Sequence, residues 1–284
     1  MDVIELIKGK GRKILYLFSC FKWWLFYRNA ISRPPKKNYT ISNEWYNNEK
    51  ILLIAPHADD ELLSSFTLLK NASSIAVYYC GFTGTNNSAV NREKRYEEIH
   101  KLCDQLKIPF IYGGGTCDNL SQVIGNYNVL VVPSVVDWHP EHRKVSYLLS
   151  DILHRTGSTP SIYTYSVTVP NESDSTVLCI PMTKHQQNNK YKLFREIYFS
   201  QSFMPLYRFI INERINGYSI SSYAAETFRY RSLEKWFKEI TFFRKADNDG
   251  VYEVKEMLDN LKAIDDMDKI RRASKSLYEL IDKE

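Results

Sequence analysis

The chain has 284 residues, 44% of them hydrophobic, which suits one large globular domain or one domain with an appended piece, because single cores stop growing at roughly 250–300 residues. Its 38 Lys and Arg against 33 Asp and Glu leave a net charge of only +5, spread along the chain, so no nucleic-acid partner is indicated. Five cysteines without a CxxC pair fit free thiols in a reducing compartment, and none lies beside a candidate base.

In chain order the first element is KGKGRKILYLFSCFKWWLFYR, residues 8–28. Its longest apolar run is interrupted by Lys22, is too short for the roughly 20 apolar residues of a spanning helix, and is followed by no small-residue cleavage site. Lys10, Arg12, Lys13, Lys22 and Arg28 flank or interrupt an apolar stretch carrying Phe18, Phe21, Trp23, Trp24 and Phe26. That pattern suits an amphipathic helix over residues 12–28 lying in a membrane interface, with packing on the domain or on a partner subunit, and a tilted span, as the other readings. A cytoplasmic protein, peripheral on the inner face of a membrane, is expected, and deleting residues 1–40 is expected to release it into the soluble fraction with its activity on a short, water-soluble substrate intact. Residues 31–49, polar with a Pro pair, read as a linker.

From residue 50 strands and helices alternate. ILLIA (51–55) is a continuous apolar run, as in a strand covered on both faces, and helical spacing follows it. IAVYYCGF (75–82) is a second strand, 91–108 a helix with Ile99, Leu102 and Leu106 on one face, FIYGG (110–114) a third strand and VLVVPSVV (129–136) a fourth. IYTYSVTVP (162–170), TVLCIPM (176–182) and a helix from about 184 to 200 complete the pattern. The spacing predicts an α/β domain over 50–240: a Rossmann-like, mostly parallel sheet with helices on both faces. An N-terminal amphipathic helix (1–30) precedes it. A C-terminal helical extension (241–284) follows, whose apolar positions Val254, Met257, Leu258, Leu261, Ile264, Ile270, Leu277 and Ile281 suit a structural role or a homo-oligomer contact.

Ligands of open parallel sheets bind beyond the carboxyl ends of the strands. The first strand runs there into His57, Asp59, Asp60 and Glu61, and the fourth into Asp137, His139, Glu141 and His142. His57 with Asp60, and His139 with His142, are each three residues apart at a turn into a helix, so each pair can point into one cleft. Imidazoles with a carboxylate and one open position form the ligand set of catalytic zinc. Acids at a helix start are favourable whatever they bind, so either segment alone reads equally as a helix cap. Both together, at the ligand-binding edge, point to chemistry.

PHADDE, GFTGTN, RYEE and DWHPEHR together resemble the PIG-L/LmbE-like family of zinc-dependent N-acetylglucosamine de-N-acetylases, over about residues 50–230. The resemblance implies hydrolysis of the N-acetyl group of an amino sugar, with zinc, or Fe2+ in its place, held by His57, Asp60 and His142. It implies Asp59 as general base and His139 as the imidazole that stabilises or protonates at the reacting centre. Arg95 falls where the family contacts the sugar, with a plain surface arginine as its other reading, and Asp118 resembles an acid that grips a sugar hydroxyl, with a turn aspartate as its other reading. Ala58 stands where proline is usual and Glu141 where aspartate is usual. The N-terminal helix favours a lipid-linked or membrane-proximal glycan over a soluble GlcNAc conjugate. A metal-binding protein without turnover is the reading from another class. A nucleotide-binding domain lacks GxGxxG after the first strand, and serine catalysis lacks a GxSxG elbow.

Overall fold

The computed structural model describes residues 3–35, 39–41, 45–84, 88–167, 169, 177–250, 252–262 and 266–283. Thr85 and Asn86 of the GFTGTN segment, Thr168, Pro170 and Thr176 of the expected strands, Ile264, and the side chains of Lys10, Arg12 and Lys13 lie outside the described residues.

The strands are β1 (Thr40–Ile41), β2 (Ile51–Ala55), β3 (Ile75–Tyr79), β4 (Phe110–Tyr112), β5 (Val129–Pro133), β6 (Ser161–Tyr165), β7 (Val177–Met182) and β8 (Ala224–Arg231). They form one eight-stranded sheet in the order β1-β7-β8-β6-β5-β2-β3-β4. All neighbours are parallel except those of β8, which runs antiparallel to both β6 and β7. The sheet is therefore mostly parallel, as its apolar runs predict. The exception was hidden in the sequence because β8 buries Glu226, Arg229 and Arg231 among its apolar residues.

β2, β3 and β5 are apolar because both their faces are covered, every residue of each being buried. Leu52, Ile54, Tyr78, Leu130, Val132 and Ile162 point to one layer. Helices α4 (Leu120–Val123), α5 (Pro140–Thr156), α8 (Leu233–Asp249), α9 (Tyr252–Leu261) and α10 (Met267–Lys283) fill it. Ile51, Leu53, Val77, Tyr79 and Val131 point to the other, under α2 (Asp60–Asn71), α3 (Ala89–Leu106) and α6 (Lys184–Ile197). The C-terminal helices are thus part of the domain core, with Val254, Leu258, Leu261, Ile270, Leu277 and Ile281 all buried.

The N-terminal segment is also built in. Helix α1 (Val3–Ile31) lies against α7 (Leu206–Ser219): Trp23 is buried, Ser19 Oγ is 2.6 Å from Tyr207 Oη, and the Tyr16 ring meets Tyr207 edge-on at 5.4 Å. The expected linker contributes β1 to the sheet edge, buries Tyr46 and stacks Trp45 on Tyr163 at 4.0 Å. Both α1 and β1 are therefore packed on the domain, and deleting residues 1–40 strips α7 of its cover. No described helix is long and apolar enough to cross a membrane.

From β2 the chain winds outward to β3 and β4, then crosses back to lay β5 on the other side of β2, with Ile51 beside Val129 and Leu53 beside Val131. The two acid- and histidine-bearing turns leave the same end of these adjacent strands, where the winding reverses and an open crevice forms.

Candidate active site

The turn from β2 into α2 is held by its own side chains. Asp60 Oδ2 accepts the His57 backbone N–H at 2.9 Å, and the Glu61 carboxylate accepts the Asp59 N–H at 3.2 Å. Asp59 occupies the N-cap position at φ 127°, ψ −27°, yet its side chain caps nothing. A non-glycine residue held there costs on the order of 1–3 kcal/mol, so surrounding bonds must impose it. Glu61, fully buried, is gripped by the Tyr198 hydroxyl and is pushed up to about 7 by burial.

The turn from β5 into α5 uses Asp137 as its brace. One Asp137 oxygen accepts the His139 N–H at 2.8 Å and the other meets His142 Nδ1 at 3.1 Å. His139 is the N-cap of α5, its Nδ1 accepting the Glu141 N–H at 3.3 Å, with Pro140 at the first helical position as the sequence predicts.

These turns bring His57, Asp60 and His142 together. His57 Nδ1 lies 3.2 Å from His142 Nε2, and Asp60 Oδ2 lies 3.2 Å from the first nitrogen and 3.4 Å from the second. Ligands at ~2.0–2.2 Å from a tetrahedral zinc stand ~3.3–3.6 Å apart, so the triangle has the size of one face of such a site. His57, His139 and His142 form a looser group, with one ring nitrogen from each within 4.8 Å of the others. The tighter set fits a metal better, because His139 Nδ1 is engaged by the helix cap.

The remaining nitrogen of the His57 ring and of the His142 ring is spoken for. His142 Nδ1 faces Asp137, and His57 Nε2 is 2.6 Å from Glu141, which also accepts the Gly84 N–H at 3.1 Å. Carboxylates in these places fix the tautomers that present lone pairs toward the triangle. Glu141 was assigned no role from the sequence; only the assembled fold carries it to His57. Burial opposes charge on His57 and His142, but Asp60 raises both, with Glu141 acting on the first and Asp137 on the second. Asp60 is held far below the carboxylate range by His142 and His57 against burial.

Asp59 is buried and its Oδ2 has no hydrogen-bond partner; burial, then the neighbouring Asp60, raise its pKa. His139 is pushed down to about 4 by burial and by the two other histidines. It is therefore neutral near pH 7, and with Nδ1 accepting, its proton sits on Nε2. A neutral ring so arranged can donate from Nε2, which is the stabilising one of the two roles that the resemblance implies. Arg95 reaches in from α3, its Nη1 donating to Ala58 O at 3.1 Å while its Nε has no partner. Asp118 is exposed and accepts the Thr116 hydroxyl at 2.8 Å, away from the cavity that the other residues line. The short β4 ends early, and the turn after it keeps Asp118 at the surface.

That cavity has a volume of about 340 Å³. Its floor holds His57, Asp59, Asp60, Arg95, His139 and His142. Its walls are largely apolar, with Trp23 of α1, Trp138, Phe203 and Phe209, and with Leu261 and Ile270 from the C-terminal helices.

No family model and no curated protein matches the chain. Solved structures do. The zinc-inhibited form of teicoplanin deacetylase Orf2 matches with a TM-score of 0.52 at 14% identity, over 64% of this chain and 97% of that one. A deacetylase–teicoplanin complex from the teicoplanin biosynthesis pathway matches at 0.51 and 14%, over 64% and 97%. The conserved protein TT1542 from Thermus thermophilus matches at 0.50 and 22%, over 64% and 94%. The chain has the LmbE/PIG-L-type deacetylase fold. In this chain the carboxyl ends of β2 and β5 carry the candidate site, and α1, α9 and α10 add walls to its cavity.

Proposed function

We propose that the chain is a divalent-metal-dependent hydrolase that removes the acetyl group from an N-acetylated, GlcNAc-type amino sugar, releasing acetate and a free amine. The observation that carries this reading is the zinc-sized triangle of His57, Asp60 and His142 beside the buried Asp59, whose Oδ2 has no hydrogen-bond partner, on one cavity floor. His57, Asp60 and His142 would hold a divalent ion, which would supply Lewis acidity to the amide carbonyl and to the attacking water. Asp59 takes the proton from the attacking water and delivers it to the nitrogen as the C–N bond breaks. His139 donates its Nε2–H to the carbonyl oxygen as negative charge develops there. Arg95, which lines the cavity, receives a sugar hydroxyl. A metal-binding protein without turnover would have no use for a buried, strained, unpaired Asp59.

Elemental analysis of the untagged protein should find about one divalent ion per chain, with release of acetate from N-acetylated amino sugars. The double variant His57→Ala, His142→Ala should lose both. Full metal content in that variant would remove the ligand assignment. Glu141→Ala should weaken metal binding by roughly 10- to 100-fold, as loss of such supporting carboxylates does, with little change in melting temperature because Glu141 is partly exposed. Chelator competition measures it, and wild-type affinity would mean that His57 is oriented by other contacts.

A further inference from the structure

The small net charge conceals an asymmetry. Leu6 to Asn43 hold nine Lys and Arg and no Asp or Glu, whereas the other 246 residues hold 29 basic against 33 acidic. The helix within this cationic stretch has two apolar faces. Trp23 is turned into the domain at 4% exposure, while Ile14, Leu17, Phe18, Phe21, Trp24 and Leu25 are 46–66% exposed. At about 100° per residue these six form a stripe roughly 120° wide, and Trp23 falls opposite its middle. Arg28 closes the stripe at its C-terminal end, its guanidinium 5.5 Å over the Trp24 ring, and exposed Lys22 lies along its border.

We propose that α1 lies in the plane of an anionic lipid surface, the stripe inserted among the acyl chains and the cationic rim at the headgroups. An apolar centre with Trp and Phe, bordered by cations and without one acid, is complementary to anionic lipid, where each basic residue adds attraction and insertion adds more. The same charges disfavour a second copy, because pairing two stripes juxtaposes like charges with no acid in either stretch to offset them. The net-acidic body is repelled by the same surface, which favours contact through α1 alone. The docked helix is also a cavity wall: Trp23 lines the cavity together with Phe203, itself 77% exposed. The surface that holds the protein is therefore next to the opening through which a substrate with an apolar anchor enters. The docking does not depend on the hydrolase reading, and its test measures no turnover.

The full-length protein should float with phosphatidylcholine vesicles that contain phosphatidylglycerol, float less with phosphatidylcholine alone, and be displaced by high salt. Phe18→Ser, Phe21→Ser, Trp24→Ser changes only exposed positions and should lower vesicle partitioning at least tenfold at an unchanged melting temperature. Absence of flotation at low salt, or equal flotation by the triple variant, overturns the proposal. So does a dimer in light scattering that becomes a monomer in the triple variant while neither protein floats, which would make the stripe a homodimer face.

Discussion

Asp59→Asn should keep its metal and lose roughly 10²- to 10⁴-fold of turnover, the range expected of a general base. The carboxamide preserves the shape but cannot take the proton from water. None of the three triangle atoms is altered, so metal content should be that of the wild type. Stability supplies an independent check. The carboxylate is buried without a partner for Oδ2, and burial raises its pKa, so the charged form destabilises the fold above the ordinary carboxylate range. The metal-free wild type should lose stability relative to the variant as pH rises through that range, because the folded state there holds a proton that the unfolded state has released. Near-normal acetate release by the variant would end the assignment, and another base would have to be sought on the same cavity floor.

Lys190→Met should destabilise the protein by about 3–5 kcal/mol, the cost of breaking a buried ion pair by removing one partner. Lys190 is fully buried and spends its three N–H bonds on Glu213 at 2.6 Å, Glu226 at 2.7 Å and Leu63 O at 2.7 Å. The bond to Leu63 exists because α2 is broken at Ser65, where φ is −138° and ψ 23°. Glu226 caps the far side of the break, accepting the Phe66 and Thr67 N–H groups at 2.9 and 2.8 Å. Replacing lysine alone strands two buried carboxylates. Replacing Lys190, Glu213 and Glu226 together with Met, Gln and Gln should recover much of the loss, since neutral partners leave no charge buried alone. Denaturant unfolding would measure both, and a change below about 1 kcal/mol in the single variant would show that the cluster relaxes or admits water.

The parts of the fold legible in the sequence are those where burial and chain direction coincide. β2, β3 and β5 are apolar on both faces because they lie central in a parallel sheet, and their runs are visible without any partner. β8 was not, because Glu226, Arg229 and Arg231 are buried for reasons that lie on other elements: α2, α6, α8 and, through the Tyr278 ring under Arg229, α10. The same division holds at the site. His57, Asp60 and His142 are marked by spacing at strand ends, whereas Glu141 and Asp137 matter through the ring nitrogens they face, and no period in the chain announces such a contact. Trp23 was read as part of a surface helix. Its neighbour Trp24 is exposed as that reading expects, and which of two adjacent tryptophans faces inward is settled only by α7.

The docking of α1 on α7 has a temporal side. The helix is made first, but the helix it leans on begins at Leu206, some 175 residues after α1 ends at Ile31. At about 5–20 residues per second, roughly ten to thirty seconds of synthesis separate them. Throughout that interval the inner face of α1, Trp23 included, has no domain to cover it, and the edge strands β1 and β7 cannot join the sheet until β8 has been made to bridge them. The amphipathic helix on the nascent chain therefore meets its surroundings as a free segment well before it becomes a wall, and whatever apolar surface or chaperone lies near the ribosome has first access to it.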